Sequence, residues 1–387
     1  MLQRARILQD RLVAWRRTIH THPELGFQEV QTAALVAGAL REMDIHVETG
    51  IGGTGVIGIL GQGPPTVALR ADMDALPIQE LNDVPYASQV PGVMHACGHD
   101  AHVAILLGVA TLLAESPPPR GQVRFLFQPS EEGAGKDGKS GAPRMIEDGA
   151  LEGVDAIFGL HVLPDKPAGT VGVVPGPVFA AANAFRLYVR GRGGHGAYPH
   201  RAVDPIVLSA QVITAIQTIV ARRLRPLDSG VVTVGTVHGG TKGNIIPEEV
   251  KLTGTMRSFR PEVRELLRTE LERACEVVRA LGGDFDLHIG GGYPSTINDA
   301  AMAALVREAA TDLLGADQVY APDPEMGAED FSFFLEKVPG CYFRLGTGRP
   351  GEPAHGLHNP HFDIDERALP VGVAVLAEIA HRYLQQH

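Results

Sequence analysis

Between about residues 55 and 165, short apolar, β-branched runs alternate with stretches of helical period. The runs are VIGIL at 56–60, TVALRA at 66–71, VRFLF at 123–127 and AIFGL at 156–160, with helices expected near 100–115 and 141–149. Strands this short and apolar, spaced by helices, predict an α/β sheet that is largely parallel and covered on both faces. Upstream, MLQRARILQDRLVAWRRTIHTHPE has the period of an amphipathic helix.

A second pattern begins near Asn183. AFRLYVR places Phe185, Leu187 and Val189 against Arg186, Tyr188 and Arg190, the two-residue period of a half-buried strand. A helix follows, opened by Asp204 and Pro205, with an expected apolar stripe of Ile206, Ala210, Ile213, Val220 and Leu224. Two strands at 231–237 and 248–259 flank HGGTKGNIIP. A helix carrying Val263, Leu267, Leu271 and Val278 then stops at Gly282 and Gly283, and FDLHI forms a last strand. Strand, helix, strand, strand, helix, strand is the ferredoxin-like βαββαβ unit. Helix and strand patterns resume near 299–314 and 341–346. The expected organisation is therefore a discontinuous catalytic domain of 1–182 and 292–387, with 183–291 inserted into it.

The chemistry is concentrated at the ends of the first set of strands. Asp72 and Asp74 follow TVALRA, Glu131 and Glu132 follow VRFLF, and His161 ends AIFGL. Ligands in open α/β sheets bind beyond the carboxyl ends of strands, so these segments converge on one rim. Residues 95–102 read HACGHDAH. One His or one Cys alone is more often a buried structural residue. Three imidazoles, a thiol and a carboxylate in eight positions, with Gly98 to bend the backbone, make a metal or thiol site instead. Glu131 and Glu132 precede Gly133 and Gly135, which let the chain turn and aim both carboxylates at one point. The Pro/Gly-rich stretch EPAHGLHNPHFD offers His355, His358 and His361, and spacing does not choose among them.

Composition narrows the class. The chain has 387 residues, 44% of them apolar, enough for two or three domains. A net charge of −11 without a Lys/Arg-rich run argues against nucleic acid. The N-terminal helix has charges scattered through it, unlike a signal peptide or membrane span, so no membrane partner is expected. Cys97, Cys275 and Cys341 are too few and too dispersed for a disulfide framework, which fits a cytoplasmic location.

Seven motifs, in order, carry a resemblance: RADMDALP at 70–77, MHACGHDAH at 94–102, QPSEEG at 128–133, GLHVLP at 159–164, GRGGHGAYPH at 191–200, GAEDFSFF at 327–334 and LHNPHFD at 357–363. Together they resemble the dinuclear-metal amidohydrolase and carboxypeptidase family, in the branch of hippurate hydrolases, N-acyl-amino-acid amidohydrolases and indole-acetyl-amino-acid hydrolases. The resemblance implies Cys97, His99, Glu132, His161 and His358 as ligands of two divalent ions, Zn, Mn, Co or Ni, and Glu131 as general base. It implies His195, from an inserted dimerisation or lid domain, reaching a partner subunit's active site, and hence a homodimer or homotetramer. It also implies Asn244 and Arg257 as the anchor for a substrate α-carboxylate. Asp72 and Asp100 are expected to fix ligand imidazoles from behind. The implied reaction is hydrolysis of N-acylated amino acids. The alternatives are a metallo-carboxypeptidase, an aminopeptidase or dipeptidase, a thiol hydrolase using Cys97, and a metal-binding homologue without catalysis. Three features depart from the family pattern. Gly196 follows the lid histidine, Lys242 occupies a usually small position, and Lys136 and Lys139 fall in the loop after Glu132, where they are expected near the acyl group.

Overall fold

The computed structural model describes residues 1–351 and 353–387. The chain divides into two compact units, Met1–Val178 with Ile297–Asp323 and Asp330–His387, and Phe179–Thr296 with Pro324–Glu329. The insertion expected at 183–291 falls inside the main segment of the second.

The first unit is built on an eight-stranded sheet. Its order is His46–Ile51, Gly55–Gln62, Gly121–Gln128, Thr66–Asp72, Ala156–Pro167, Gly340–Gly348, Val171–Gly172 and Val319–Tyr320. The four central strands run parallel, and Thr66–Asp72 is buried along its whole length, as the absence of polar alternation in TVALRA requires. The VIGIL strand departs from the parallel pattern. Gly55–Gln62 pairs antiparallel with both neighbours, because a tight turn at 52–54 joins it directly to His46–Ile51.

Helix His99–Glu115 is buried from His99 to Leu113. Apolar on every side, it belongs at the centre of a core rather than on its surface. Gly108 lets it approach its neighbours closely, since a Cβ there would lie 2.6 Å from Leu12 and 2.7 Å from Val373. Leu12 comes from helix Gln9–Thr21 and Val373 from helix Leu369–Gln386, so the two ends of the chain meet the same helix.

The second unit has a four-stranded antiparallel sheet in the order Gly230–Gly239, Glu249–Ser258, Ala181–Arg190, Asp284–Ile289, with helices Pro205–Thr218 and Pro261–Cys275. Phe185, Leu187, Val189, Val212, Leu252 and Leu271 belong to its own core. Asp204 caps the first helix by accepting the Ile206 N–H at 2.9 Å. The stripe expected on that helix is corrected. Leu208, Val212, Ile216 and Ile219 are buried, whereas Ile206 is 47% and Val220 40% exposed. PIVLSAQVITAIQTIV carries apolar residues around most of its circumference, so period alone allows more than one inward face.

Candidate metal centre

The rim forms where the central strands end. Gln128 closes one strand, and the next residues, Pro129 and Ser130, turn Glu131 and Glu132 inward, with Ser130 at φ +44°. One carboxylate holds this turn, since Asp74 accepts the Glu131 N–H through Oδ1 and the Glu132 N–H through Oδ2, both at 3.0 Å. His161 lies inside a strand rather than at its end. Ala156–Pro167 continues beside Gly340–Gly348, where His161 is paired with Arg344, after the pairing with Thr66–Asp72 has stopped at Gly159. Loss of one neighbour exposes that edge of His161 to the rim.

Gly98 supplies the bend expected of it. It lies at φ +86°, and a Cβ there would come within 2.2 Å of Val162 Cγ2. Its two neighbours, Cys97 and His99, are thereby turned toward the same point. Gly98→Ala is expected to cost roughly 2–4 kcal/mol from backbone strain and overpacking and to weaken metal uptake. Thermal melts with and without zinc check this, and an unchanged zinc-dependent shift would contradict it.

The predicted ligands gather into interlocking sets. Donor atoms of Cys97, His99 and His161 lie within 4.8 Å of one another, as do those of Cys97, Glu132 and His358, and those of His99, Glu131 and Glu132. His161 Nδ1 donates to the Val162 carbonyl at 2.7 Å, leaving Nε2 3.4 Å from Cys97 Sγ. His99 Nδ1 donates to the Asp74 carbonyl at 2.9 Å, and its buried Nε2 has no hydrogen-bond partner. Fixing Nδ1 so that Nε2 faces inward is how proteins prepare imidazoles for a metal. His358 brings its Nε2 to 2.9 Å from Glu132 Oε1. Its backbone at φ +63° is held by a bond from its N–H to the Ala96 carbonyl at 2.8 Å. One thiol, one carboxylate and three imidazoles around an orphaned Nε2 fit divalent transition ions.

The electrostatics describe a cluster that holds protons where a metal needs lone pairs. Burial and the Glu132 and Glu131 carboxylates push the Cys97 thiol well above its usual range. Burial works against charge on His99, but Asp72, Asp74 and Glu132 hold its imidazole up at about 10. His161 is pulled down to about 3 by burial and by His102. Glu132, despite burial, is held below the ordinary carboxylate value by His358 and His99.

The surrounding residues are partly those expected. Asp72 accepts from His102 Nδ1 at 2.5 Å and from Arg70 at 2.6 Å, and lies 3.6 Å from His99 Nε2. His102, which accepts the Val162 N–H, stacks on His99. Asp72 thus bears on the charge of His99 directly while also fixing the ring of His102. Asp100 is corrected, because it turns away from the predicted ligands to bond Arg16 at 2.9 Å and His20 at 2.8 Å. The residue that grips a ligand imidazole and the glutamate turn together is Asp74, whose role the sequence left unassigned. Asp330 is a further unforeseen member. It accepts from Arg70, Gln128, Ser140 and the Ala142 N–H, and its own N–H reaches Glu131 Oε1 at 3.3 Å.

Lys136 and Lys139 do not join the predicted ligands. Lys139 pairs with Glu147 at 2.5 Å, and Lys136 lines a separate surface depression with Gly52, Gly53 and Arg144. His355 and His361 line a cavity of about 180 Å³ with Asn82, Asp83 and Arg349. In the second unit, His195 pairs with Ile245 across two short strands, and the Gly196 N–H bonds the Asn244 carbonyl at 2.9 Å. Arg257 is half-buried on Glu249–Ser258, and burial alone lowers its pKa.

Residues 68–382 match the model of peptidase family M20/M25/M40. N-acetyl-L-cysteine deacetylase of Bacillus subtilis is 41% identical over 98% of this chain and 90% of its own length. Thermostable carboxypeptidase 2 of Saccharolobus solfataricus is 40% identical over 97% of this chain and 96% of its own. A solved Bacillus subtilis structure, described as a dinuclear metal binding peptidase from the M20 family, superposes with a TM-score of 0.86 at 36% identity, covering 99% of this chain and 100% of that one. Matched along nearly its whole length and carrying a cluster of metal-binding donors at its strand ends, the chain belongs to peptidase family M20/M25/M40 and is a metal-dependent amidohydrolase.

Proposed function

We propose that the chain hydrolyses the amide bond of N-acylated amino acids, releasing a carboxylic acid and the free amino acid. The observation that carries this reading is the set of three interlocking donor groups, in which Cys97, His99, Glu132, His161 and His358 could hold two divalent ions while Glu131 shares a set with His99 and Glu132. Bound there, the ions would supply Lewis acidity for the amide carbonyl and acidify a water. Glu131 takes one proton from the attacking water as the C–O bond forms, and delivers it to the nitrogen as the C–N bond breaks. Its backbone, tied to Asp74, keeps the carboxylate from swinging away.

His195 is assigned to the developing oxyanion, and Asn244 and Arg257 to the substrate α-carboxylate. A half-buried guanidinium with no ion pair among the described residues supports that assignment for Arg257. The second unit is assigned as a dimerisation or lid domain, giving a homodimer or homotetramer. Two features support this: Gly230–Gly239 is an edge strand, and Ile206, Val207 and Val220 present apolar surface. Three buried free thiols accord with a cytoplasmic location.

A carboxypeptidase acting on short peptides is the second reading, since one relative bears that name and both activities need a free α-carboxylate. The test is a panel of N-acetyl- and N-benzoyl-amino acids, their α-amides and dipeptides, with metal-stripped and with zinc- or manganese-restored protein. Turnover of the acyl-amino acids, lost with the metal and at least about 100-fold slower on the α-amides, is expected. Preference for dipeptides would replace this reading with a peptidase, an aminopeptidase if amidating the dipeptide's carboxylate leaves turnover intact and the carboxypeptidase if it does not, and turnover surviving metal removal would turn attention to the Cys97 thiol.

A further inference from the structure

Helix Gln9–Thr21 buries an arginine. Arg16 has no exposed side-chain surface, and its guanidinium meets three acids, Asp100 through Nε at 2.9 Å, Asp363 through Nη2 at 2.8 Å and Glu366 through Nη1 at 3.0 Å. Two of these acids belong to segments that carry predicted ligands. Asp100 directly follows His99, and Asp363 lies a few residues beyond His358. The third, Glu366, begins the short turn of helix that follows the His358 loop.

Each acid has a second partner. Asp100 is shared with His20 at 2.8 Å, Asp363 accepts from Tyr86 at 2.8 Å and from Arg349, and Glu366 is gripped by Arg17 at 2.6 and 3.0 Å. Removing Arg16 therefore leaves each of the three carboxylates at least one other side-chain partner. What it removes is the rigid connection between them, because a planar guanidinium fixes the directions of its bonds and so fixes the separation of the groups it joins. Backbone links survive its loss, with the His358 N–H on the Ala96 carbonyl at 2.8 Å and the Leu81 N–H on the Pro360 carbonyl at 3.0 Å.

We propose that Arg16 is a positioning residue of the metal centre, setting the separation between the Cys97–His99 corner and the loop that presents His358, and thereby its affinity for metal. This rests on the reading that Cys97, His99, Glu132, His161 and His358 hold the ions. Arg16 touches none of them and acts only through Asp100 and the Asp363–Glu366 turn. A lysine brings one ammonium in place of the fork and does not restore the geometry.

The test titrates zinc into metal-stripped full-length protein against a chromophoric chelator, for wild type, Arg16→Met, Arg16→Lys and Leu12→Ala, with circular dichroism melts of each. Leu12 lies one turn earlier on the same helix, is fully buried beside Gly108 and, being apolar, bonds none of these acids, so its truncation loosens the helix without cutting the connection. Arg16→Met is expected to stay folded and bind zinc at least about tenfold more weakly, the scale seen when a group supporting a ligand is lost. Arg16→Lys should fall near Arg16→Met, and Leu12→Ala should melt earlier with zinc affinity within about twofold of wild type. Unchanged affinity in Arg16→Met, or an equal loss in Leu12→Ala, would overturn the role of Arg16 and leave the metal centre standing. A wild-type protein that takes up no zinc would overturn the reading of the centre itself.

Discussion

Glu131→Gln is expected to slow hydrolysis of an N-acyl-amino acid by about 10³-fold, within the range that general acid–base groups contribute, with metal content and fold retained. The amide keeps the size of the carboxylate and an oxygen able to accept the Asp330 N–H that now reaches Glu131 Oε1 at 3.3 Å. It cannot take a proton from water at neutral pH. Asp74 holds the backbone of residue 131 and not its side chain, so the turn survives the exchange. The loss should fall on kcat, with KM nearly unchanged, because Glu131 is assigned no contact with the α-carboxylate. The checks are single-substrate kinetics and metal analysis on the same preparation. Residual activity above about a tenth of wild type, with full metal content, would remove Glu131 from the proton path.

Zinc affinity is expected to rise at least about 100-fold per pH unit between pH 6 and pH 8, because binding displaces two protons or more and each contributes about tenfold per unit. The sign follows from the metal-free cluster. His99 at about 10 and the Cys97 thiol, well above its usual range, both hold protons throughout this window, and a metal requires both without them. Affinity must therefore fall as the medium becomes more acidic. His358, raised above its ordinary value by its bond to Glu132, steepens the slope at the acid end, whereas His161, at about 3, is already neutral and adds nothing. Chelator competition at fixed ionic strength measures the slope. Calorimetry in buffers of different ionisation enthalpy counts the protons, and fewer than one released would contradict the assignment of Cys97 and His99 as joint ligands.

The architecture was legible where periodicity had one solution. TVALRA became a strand buried along its whole length and VRFLF, buried except at Arg124, its parallel neighbour, and HACGHD announced donors that do assemble at the strand ends. Legibility failed where the sequence offers several equivalent choices. Asp72 and Asp74 are two positions apart, and nothing in their spacing tells which one grips the glutamate turn. Asp100 stands beside His99 in sequence but one position further around the helix, so it faces Arg16 instead of the rim. Arg16 itself, four residues after Leu12 and three before Ile19, occupies an apolar stripe and reads as one charge among several until its three acids are seen. On Pro205–Thr218, apolar residues on opposing sides left the inward face undetermined.

The pairing of Ala156–Pro167 with Gly340–Gly348 has a consequence for how the protein is made. These adjacent strands are separated in the chain by everything that forms the second unit, and His358 follows later still. As the chain emerges from the ribosome, the antiparallel unit between them, with its locally connected strands and its own core, has all its main segment available while the parallel sheet still lacks a central member. The donors at Cys97, His99, Glu132 and His161 thus wait, beside an unfilled sheet edge, for a strand and a fifth donor delivered near the end of synthesis. On the proposed ligand assignment, metal acquisition becomes the closing event of folding, and a chain truncated before residue 358 is expected not to be matured by supplying metal.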